Sequence, residues 1–206
     1  AWGCRIFATP DGLSMYVQSH QTWQNYRYQD DNSIPPGNVT TLKWLTNDIT
    51  DDNGNVSSLN QLLVGTRRNG MASCSANSFP QQTSTQDAYF NESGIATQLI
   101  CNQYNTTISP SIVDFPDDSI NDFELDSYGR LWVATGVAGI TPNDSGGIGV
   151  ARFVPSSYSW DWDWSESNNS DLLPFRKTTG GLPYNHVNAL TYTDDRNIWA
   201  GFSGWN

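Results

Sequence analysis

Apolar and polar positions in this chain alternate over short stretches, the two-residue period of strands rather than the longer period of helices. The clearest stretch is FPDDSINDFELDSYGRLWVATG, from Phe115 to Gly136. Ile120, Phe123 and Leu125 give the apolar beats of one predicted strand, and Leu131, Trp132 and Val133 those of a second. Asp126, Ser127, Tyr128 and Gly129 occupy the polar turn between them. The pattern recurs. IPPGNVTTLKW begins at Ile34 and LPYNHVNALTY at Leu182, each with a second apolar block behind it: LLVGT from Leu62 and IWAGF from Ile198, matching LWVAT from Leu131. Without gaps, Leu63, Trp132 and Trp199 share a column, as do Val64, Val133 and Ala200, and Gly65, Ala134 and Gly201. No helical periodicity is sustained, so the fold class is all-β.

The copies start at Ile34, Phe115 and Leu182, 81 and 67 residues apart, against roughly 40 to 50 for a bare four-stranded propeller blade, so each unit carries insertions. The motif of Leu-Pro, Val-Asn-x-Leu, a turn with Asp and Gly, and Leu-Trp-x-x-Thr resembles the repeat of the two-component-regulator type β-propellers, the extracytoplasmic sensor domains of some membrane receptors. Leu182, Pro183, Val187, Asn188, Ala189 and Leu190 carry the likeness in the last copy, and Ile120, Asn121, Asp126, Gly129, Leu131, Trp132 and Thr135 in the middle one. The motif covers about a third of the chain. The resemblance implies a propeller architecture and a sensing role, and it maps no ligand-binding residue.

The repeat frame predicts a propeller-like array of about three four-stranded antiparallel blades that starts and ends mid-blade. Residues 1–33 form a half blade plus a link, 34–114 and 115–181 one blade each, and 182–206 a closing half blade. Trp2 to Phe7 matches Gly149 to Phe153, which places the chain's start on a third strand. Asp11-Gly12 is then a hairpin turn, Leu13 to Val17 a fourth strand, and Gln18 to Ser33 a polar link. Within the first full unit, Asn47 to Leu59 reads as a loop and Ile95 to Cys101 as the outer strand. Leu172 to Lys177 is the outer strand of the second unit. The 25 residues after Gly181 and the 33 before Ile34 would together make one blade. Three blades are fewer than the 4 to 8 of an ordinary closed ring. The chain is therefore a segment of a larger propeller, an atypical three-unit ring, or a subunit whose unfinished blade is completed by the next copy.

Composition narrows the function. Of 206 residues only 15% are charged while 13% are aromatic, and the net charge is −11. Nucleic acid needs clustered Lys and Arg, and here ten are spread along the chain. No apolar run reaches the length of a membrane span. Sequons at Asn38, Asn55, Asn91, Asn105, Asn143 and Asn168 lie in polar segments and predict an extracellular, N-glycosylated protein. The opening Ala1-Trp2-Gly3-Cys4 fits a processed end or an excised piece. In the repeat frame Cys74 and Cys101 fall on neighbouring strands and form the expected disulfide. Cys4 is left as a buried free thiol or as half of a bond to another chain or to a part not present.

Candidate chemistry is sparse. Asp126-Ser-Tyr-Gly-Arg-Leu-Trp132 is similar to the Asp-box turn of sialidase-like propellers, which implies a structural Asp. The acidic pairs Asp51/Asp52, Asp117/Asp118 and Asp194/Asp195 supply carboxylates for a glycosidase only if two of them face each other across a cleft. Calcium has one candidate loop, Asp51-Asp52-Asn53-Gly54-Asn55, whose Gly sits two places early for an EF-hand, so no cofactor is expected. His20 and His186 lack metal-ligand spacing. Trp160, Trp162 and Trp164 share one strand face, suited to stacking on sugar or partner but more often buried between sheets. The leading expectation is a non-enzymatic extracellular glycoprotein that links copies of itself, or further blades, into a surface or fibre through strand completion. The alternatives are a ligand- or glycan-sensing ectodomain, with Arg67-Arg68 and Ser203-Gly204-Trp205 at the ligand, and a carbohydrate-active enzyme.

Overall fold

A computed structural model describes residues 4–17, 21–28, 34–50, 56–75, 99–106, 116–137, 146–162 and 181–203. They form four antiparallel sheets. The first holds β1 (Cys4–Thr9), β2 (Gly12–Val17) and β3 (Thr22–Arg27). The second holds β4 (Val39–Thr50), β5 (Val56–Thr66), β6 (Met71–Ser75) and β7 (Cys101–Tyr104). The third is β8 (Ile120–Leu125), β9 (Arg130–Thr135), β10 (Gly147–Val154) and β11 (Ser159–Asp161). The last pairs β12 (Val187–Tyr192) with β13 (Ile198–Phe202).

The sheets stack face to face, because alternation along each strand sends apolar side chains to both faces. Leu13, Met15 and Tyr26 of the first sheet pack with Leu62, Val64 and Ala72 of the second. The other face of the second sheet, with Leu45, Leu63 and Met71, meets Phe123, Leu131, Val133 and Phe153 of the third. The third turns Trp132, Ala134 and Ile148 toward Val187, Leu190 and Ala200 of the last. Strands β4, β8 and β12 lie next to one another across these layers and are the inner strands of the array.

Each inner strand opens on the same irregularity: register shifts fall between Val39 and Thr41, Ile120 and Asp122, and Val187 and Ala189. A bulge of this kind twists the strand and turns its extra residue out of the ladder. Thr40, Asn121 and Asn188 are the residues so placed.

Three predicted boundaries change. The link expected from Gln18 to Ser33 contains β3, which pairs Tyr16 with Trp23 and Leu13 with Tyr26. Its inward residues are Gln24 and Tyr26, polar enough to hide the apolar beat, and the Tyr26 hydroxyl donates to Gln24 Oε1 inside the layer. The loop expected from Asn47 to Leu59 is largely strand, since β4 and β5 run on with Asn47 opposite Leu59 and Asp48 opposite Ser58. Ile49 and Leu59 hold that extension against the core. Finally, β1 lies beside the inner strand β4, unlike a third strand. Among the described residues the first sheet has three strands and the last has two. Of the expected outer strands, β7 starts only at Cys101, residues 95–98 are outside the described set, and so are residues 172–177.

Candidate functional site

The inner strands run in one direction, so the start of each and the end of its neighbour gather at one end of the stack. Asn38, Arg67, Arg68, Asp117, Asp118, Gly136, Asn185, His186 and Ser203 all belong to this end. Hydrogen bonds stitch it from sheet to sheet. Thr40 Oγ1 donates to Gly65 O at 3.1 Å in its own sheet and to Ile120 O at 2.6 Å in the next. Asn121 Nδ2 repeats the pattern, donating to Gly136 O and to Val187 O, both at 2.8 Å. Gly70 N donates to Asp118 O, and both Asp118 carboxylate oxygens accept from Thr106. Gly146, at φ 102°, lies so close to Asn185 that a Cβ would sit 2.5 Å from the Asn185 carbonyl oxygen. The loop after β9 is therefore held flush against the chain entering β12.

Arg67 and Arg68 are exposed here, and Arg68 sits at φ 86°, a left-handed conformation that a turn forces on it. His186 Nδ1 is hydrogen-bonded to Ser203 Oγ at 2.5 Å, and Ser203 Oγ also donates to Asn188 Oδ1 at 3.5 Å. This joins a hydroxyl to a base. Partial burial holds the imidazole below its ordinary value of 6.5, against a smaller upward pull from Ser203. The fold thus favours the neutral ring: its contribution is intact above the unfolded value and is lost as pH falls through the depressed folded one. His186→Asn is expected to remove that component, so its melting temperature should fall less than the parent's between about pH 7 and about pH 5. Parallel melting profiles for parent and variant would contradict the assignment.

The opposite end carries the turns between first and second strands. Asp126 is buried and accepts from Tyr128 N at 2.9 Å, Arg130 N at 3.0 Å, Arg130 Nε at 2.6 Å and Trp132 Nε1 at 2.9 Å. One carboxylate thus shapes the turn and aims the indole at the next sheet. In the last sheet the turn from Thr193 to Asn197 has the same backbone bonds, with Arg196 at φ 66° where Gly129 has 73°.

The acidic pairs are structural where they are described. Asp117 Oδ1 accepts from Ser119 N, while Asp195 accepts from Thr193 and Asn197 at the other end of the stack. The pairs Asp117/Asp118 and Asp194/Asp195 therefore do not face each other across a cleft. Among the described residues no group of three or more His, Cys, Asp or Glu could hold a metal ion. The calcium candidate, residues 51–55, is outside them.

Trp160 and Trp162 are buried between the second and third sheets, which corrects the sugar-stacking alternative for both. Trp160 Nε1 donates to Gln61 Oε1 and its backbone N to the Tyr104 hydroxyl, both across the layer. Trp164 is outside the described residues. Asn38 is exposed and Asn105 half-buried; Asn55, Asn91, Asn143 and Asn168 fall outside the described set. A disulfide joins Cys74 and Cys101, which stand opposite each other in β6 and β7. Cys4 opens β1 opposite Val17. Of the column Leu63, Trp132 and Trp199, the first is buried, the second half-buried and the third exposed, although all three face the same way along the stack. Asn121 and Asn188 belong to the repeat motif, but the motif does not reveal that they and Thr40 are bulge residues, one place beyond the first apolar residue of each inner strand.

Face-stacked antiparallel sheets with adjoining inner strands define a propeller-type repeat array. Residues 114–136, spanning β8, the Asp126 turn and β9, match the model of the family described as two component regulator propeller, so the chain carries β-propeller repeats resembling that family's. Among solved structures, the extracellular domain assigned to the hybrid two component system BT3049 from B. thetaiotaomicron is 14% identical with a TM-score of 0.34, covering 97% of this chain and 24% of that one. The extracellular domain assigned to the one component system BT4673 of the same organism is 15% identical with a TM-score of 0.35, covering 97% and 25%. The chain spans about a quarter of the length of these structures. No curated protein matches it. Among the described residues no helix is long and apolar enough to cross a membrane.

Proposed function

We propose that this chain is part of an extracellular sensing propeller, with a small molecule or glycan bound over the end of the stack that carries Arg67, Arg68, His186 and Ser203. The observation that carries the reading is the match of residues 114–136 to the regulator propeller model. It falls on the strand pair whose two faces are both covered by neighbouring sheets, so the matched repeat works here as a blade. The disulfide fits an oxidising, extracytoplasmic compartment. Exposed donors on loops held by a rigid stack are the usual setting of a binding surface. The reading assigns no bond-making step to the chain.

The test is thermal-shift and calorimetric titration of the chain against a panel of neutral and acidic oligosaccharides and small carboxylates. Binding by at least one probe is expected, with that binding lost in the Arg67→Ala, Arg68→Ala double variant at an unchanged melting temperature. No binding by any probe, or full binding by the variant, would refute the proposal.

A further inference from the structure

The turn from Arg67 to Asn69 joins β5 to β6 in the second sheet, and the sheets packed on both sides of it belong to this chain. Thr66 N and Thr66 Oγ1 both donate to Gly70 O, at 3.0 and 2.8 Å, and close the turn. Gly70 N then donates to Asp118 O, at the entry to the third sheet, at 2.7 Å. Within this fixed frame Arg68 holds φ 86°, a left-handed conformation that costs a side chain energy and glycine almost none. Tyr158 and Arg196 are also left-handed, at φ 51° and 66°, and each gains bonds there. The Tyr158 hydroxyl accepts from Asn60 N and donates to Asn60 O, and Arg196 Nη1 donates to the Tyr128 hydroxyl. The exposed Arg68 guanidinium gains none among the described residues.

The carboxylates beside the turn are engaged elsewhere. Asp118 Oδ1 and Oδ2 accept from Thr106 N and Oγ1, both at 2.7 Å, and Asp117 Oδ1 accepts from Ser119 N at 2.6 Å. In a chain of net charge −11, two adjacent guanidiniums are thus left without an anion among the described residues. Asparagines border the turn. Arg67 N donates to Asn38 O at 2.9 Å, Asn69 Nδ2 would lie 3.0 Å from a Cβ on Gly37, and Asn105 Cβ 2.6 Å from a Cβ on Gly70. Amide side chains donate and accept hydrogen bonds, as sugar hydroxyls do.

We infer that Arg67 and Arg68 take the charged oxygens of an acidic glycan, a carboxylate or a sulfate ester, with the amides of Asn38 and Asn69 on neighbouring hydroxyls. The inference rests on the sensing reading and narrows it from any small molecule or glycan to one whose negative charge is required. Guanidinium forks hold planar oxyanions through paired, charge-assisted hydrogen bonds. A left-handed backbone kept at an unpaired arginine is strain of the kind that collects at ligand sites. Asn38 is also a sequon residue, so the site requires its amide to be unmodified.

The experiment is calorimetric titration of the full chain with tetragalacturonate, its methyl ester, and neutral and sulfated galactose tetrasaccharides. At least one acidic probe is expected to bind, and which one does so tells carboxylate from sulfate. The ester and the neutral sugar should bind roughly tenfold more weakly or not at all, the loss expected with a charge-assisted hydrogen bond. Raising salt from about 0.05 M to about 0.5 M should weaken the acidic probe, since exposed charges are screened. Arg68→Gly removes the guanidinium and relieves the left-handed backbone. It should therefore weaken acidic-probe binding by roughly tenfold or more while its melting temperature stays equal to the parent's or rises, and Arg68→Lys should bind more tightly than Arg68→Gly. Three results would overturn the inference and leave the sensing reading standing: acidic probes that bind no tighter than neutral ones, an Arg68→Gly variant that binds like the parent or melts well below it, or a glycan on Asn38 by mass spectrometry. Binding by none of these four probes also overturns it, and the sensing reading falls with it only if the wider panel is silent as well.

Discussion

Phe123→Ala is expected to lower the free energy of unfolding by about 3–5 kcal/mol, the range for emptying a buried aromatic site. Phe123 lies on β8, fully buried, in the cluster that joins the second and third sheets, where Leu63, Met71, Leu131 and Val133 surround it. Residues from two sheets meet there, so the void cannot close by a shift within one strand. The contrast is Trp199→Ala, which removes a larger ring from β13 but should cost under about 1 kcal/mol in dilute solution, because that ring lies mostly in water. Urea denaturation of both variants at one low protein concentration checks the pair. Similar midpoint losses would mean that the layers do not divide as described.

Asp126→Ala is expected to cost about 2–4 kcal/mol. The carboxylate is nearly inaccessible, at 1% side-chain exposure against 28% for Arg130, so the guanidinium can rehydrate while the other donors lose their acceptor. Those donors are two turn amides and the Trp132 indole. Arg130 also lies over the Tyr128 and Trp132 rings at 5.1 and 5.5 Å, so losing the anchor frees the indole that faces the last sheet. Asp126→Asn should be milder, keeping an acceptor for the two amides but no charge for Arg130. Thermal melts and the Trp fluorescence maximum report both effects; a melting temperature for Asp126→Ala equal to the parent's would exclude the anchoring role.

Part of what shapes the stack was within reach of sequence reading and part was not. The sensing alternative places Arg67-Arg68 and Ser203-Gly204-Trp205 at a ligand, and the structure puts Arg67, Arg68 and Ser203 at one end of the stack. The Asp126 turn was legible as structural, since Asp and Gly at that spacing shape a hairpin. The bonds from Thr40 and Asn121 to the following inner strand were not legible, because a bulge changes register without changing the apolar beat. The alternating Trp face favours burial without naming what covers it, and the structure supplies Gln61 and Tyr104 of the second sheet as its neighbours.

By itself the sequence determined that the chain is made of strands, that one two-strand motif recurs three times, and that Leu63, Trp132 and Trp199 are equivalent. Those properties follow from the two-residue period and from local turn chemistry, which act between near neighbours. Tertiary structure alone decided that Leu63 is buried and Trp199 is not, that the first sheet has three strands, and that Trp160 and Trp162 lie between two sheets. Burial depends on which sheet stands opposite, and no pattern within a strand records whether its next neighbour is there.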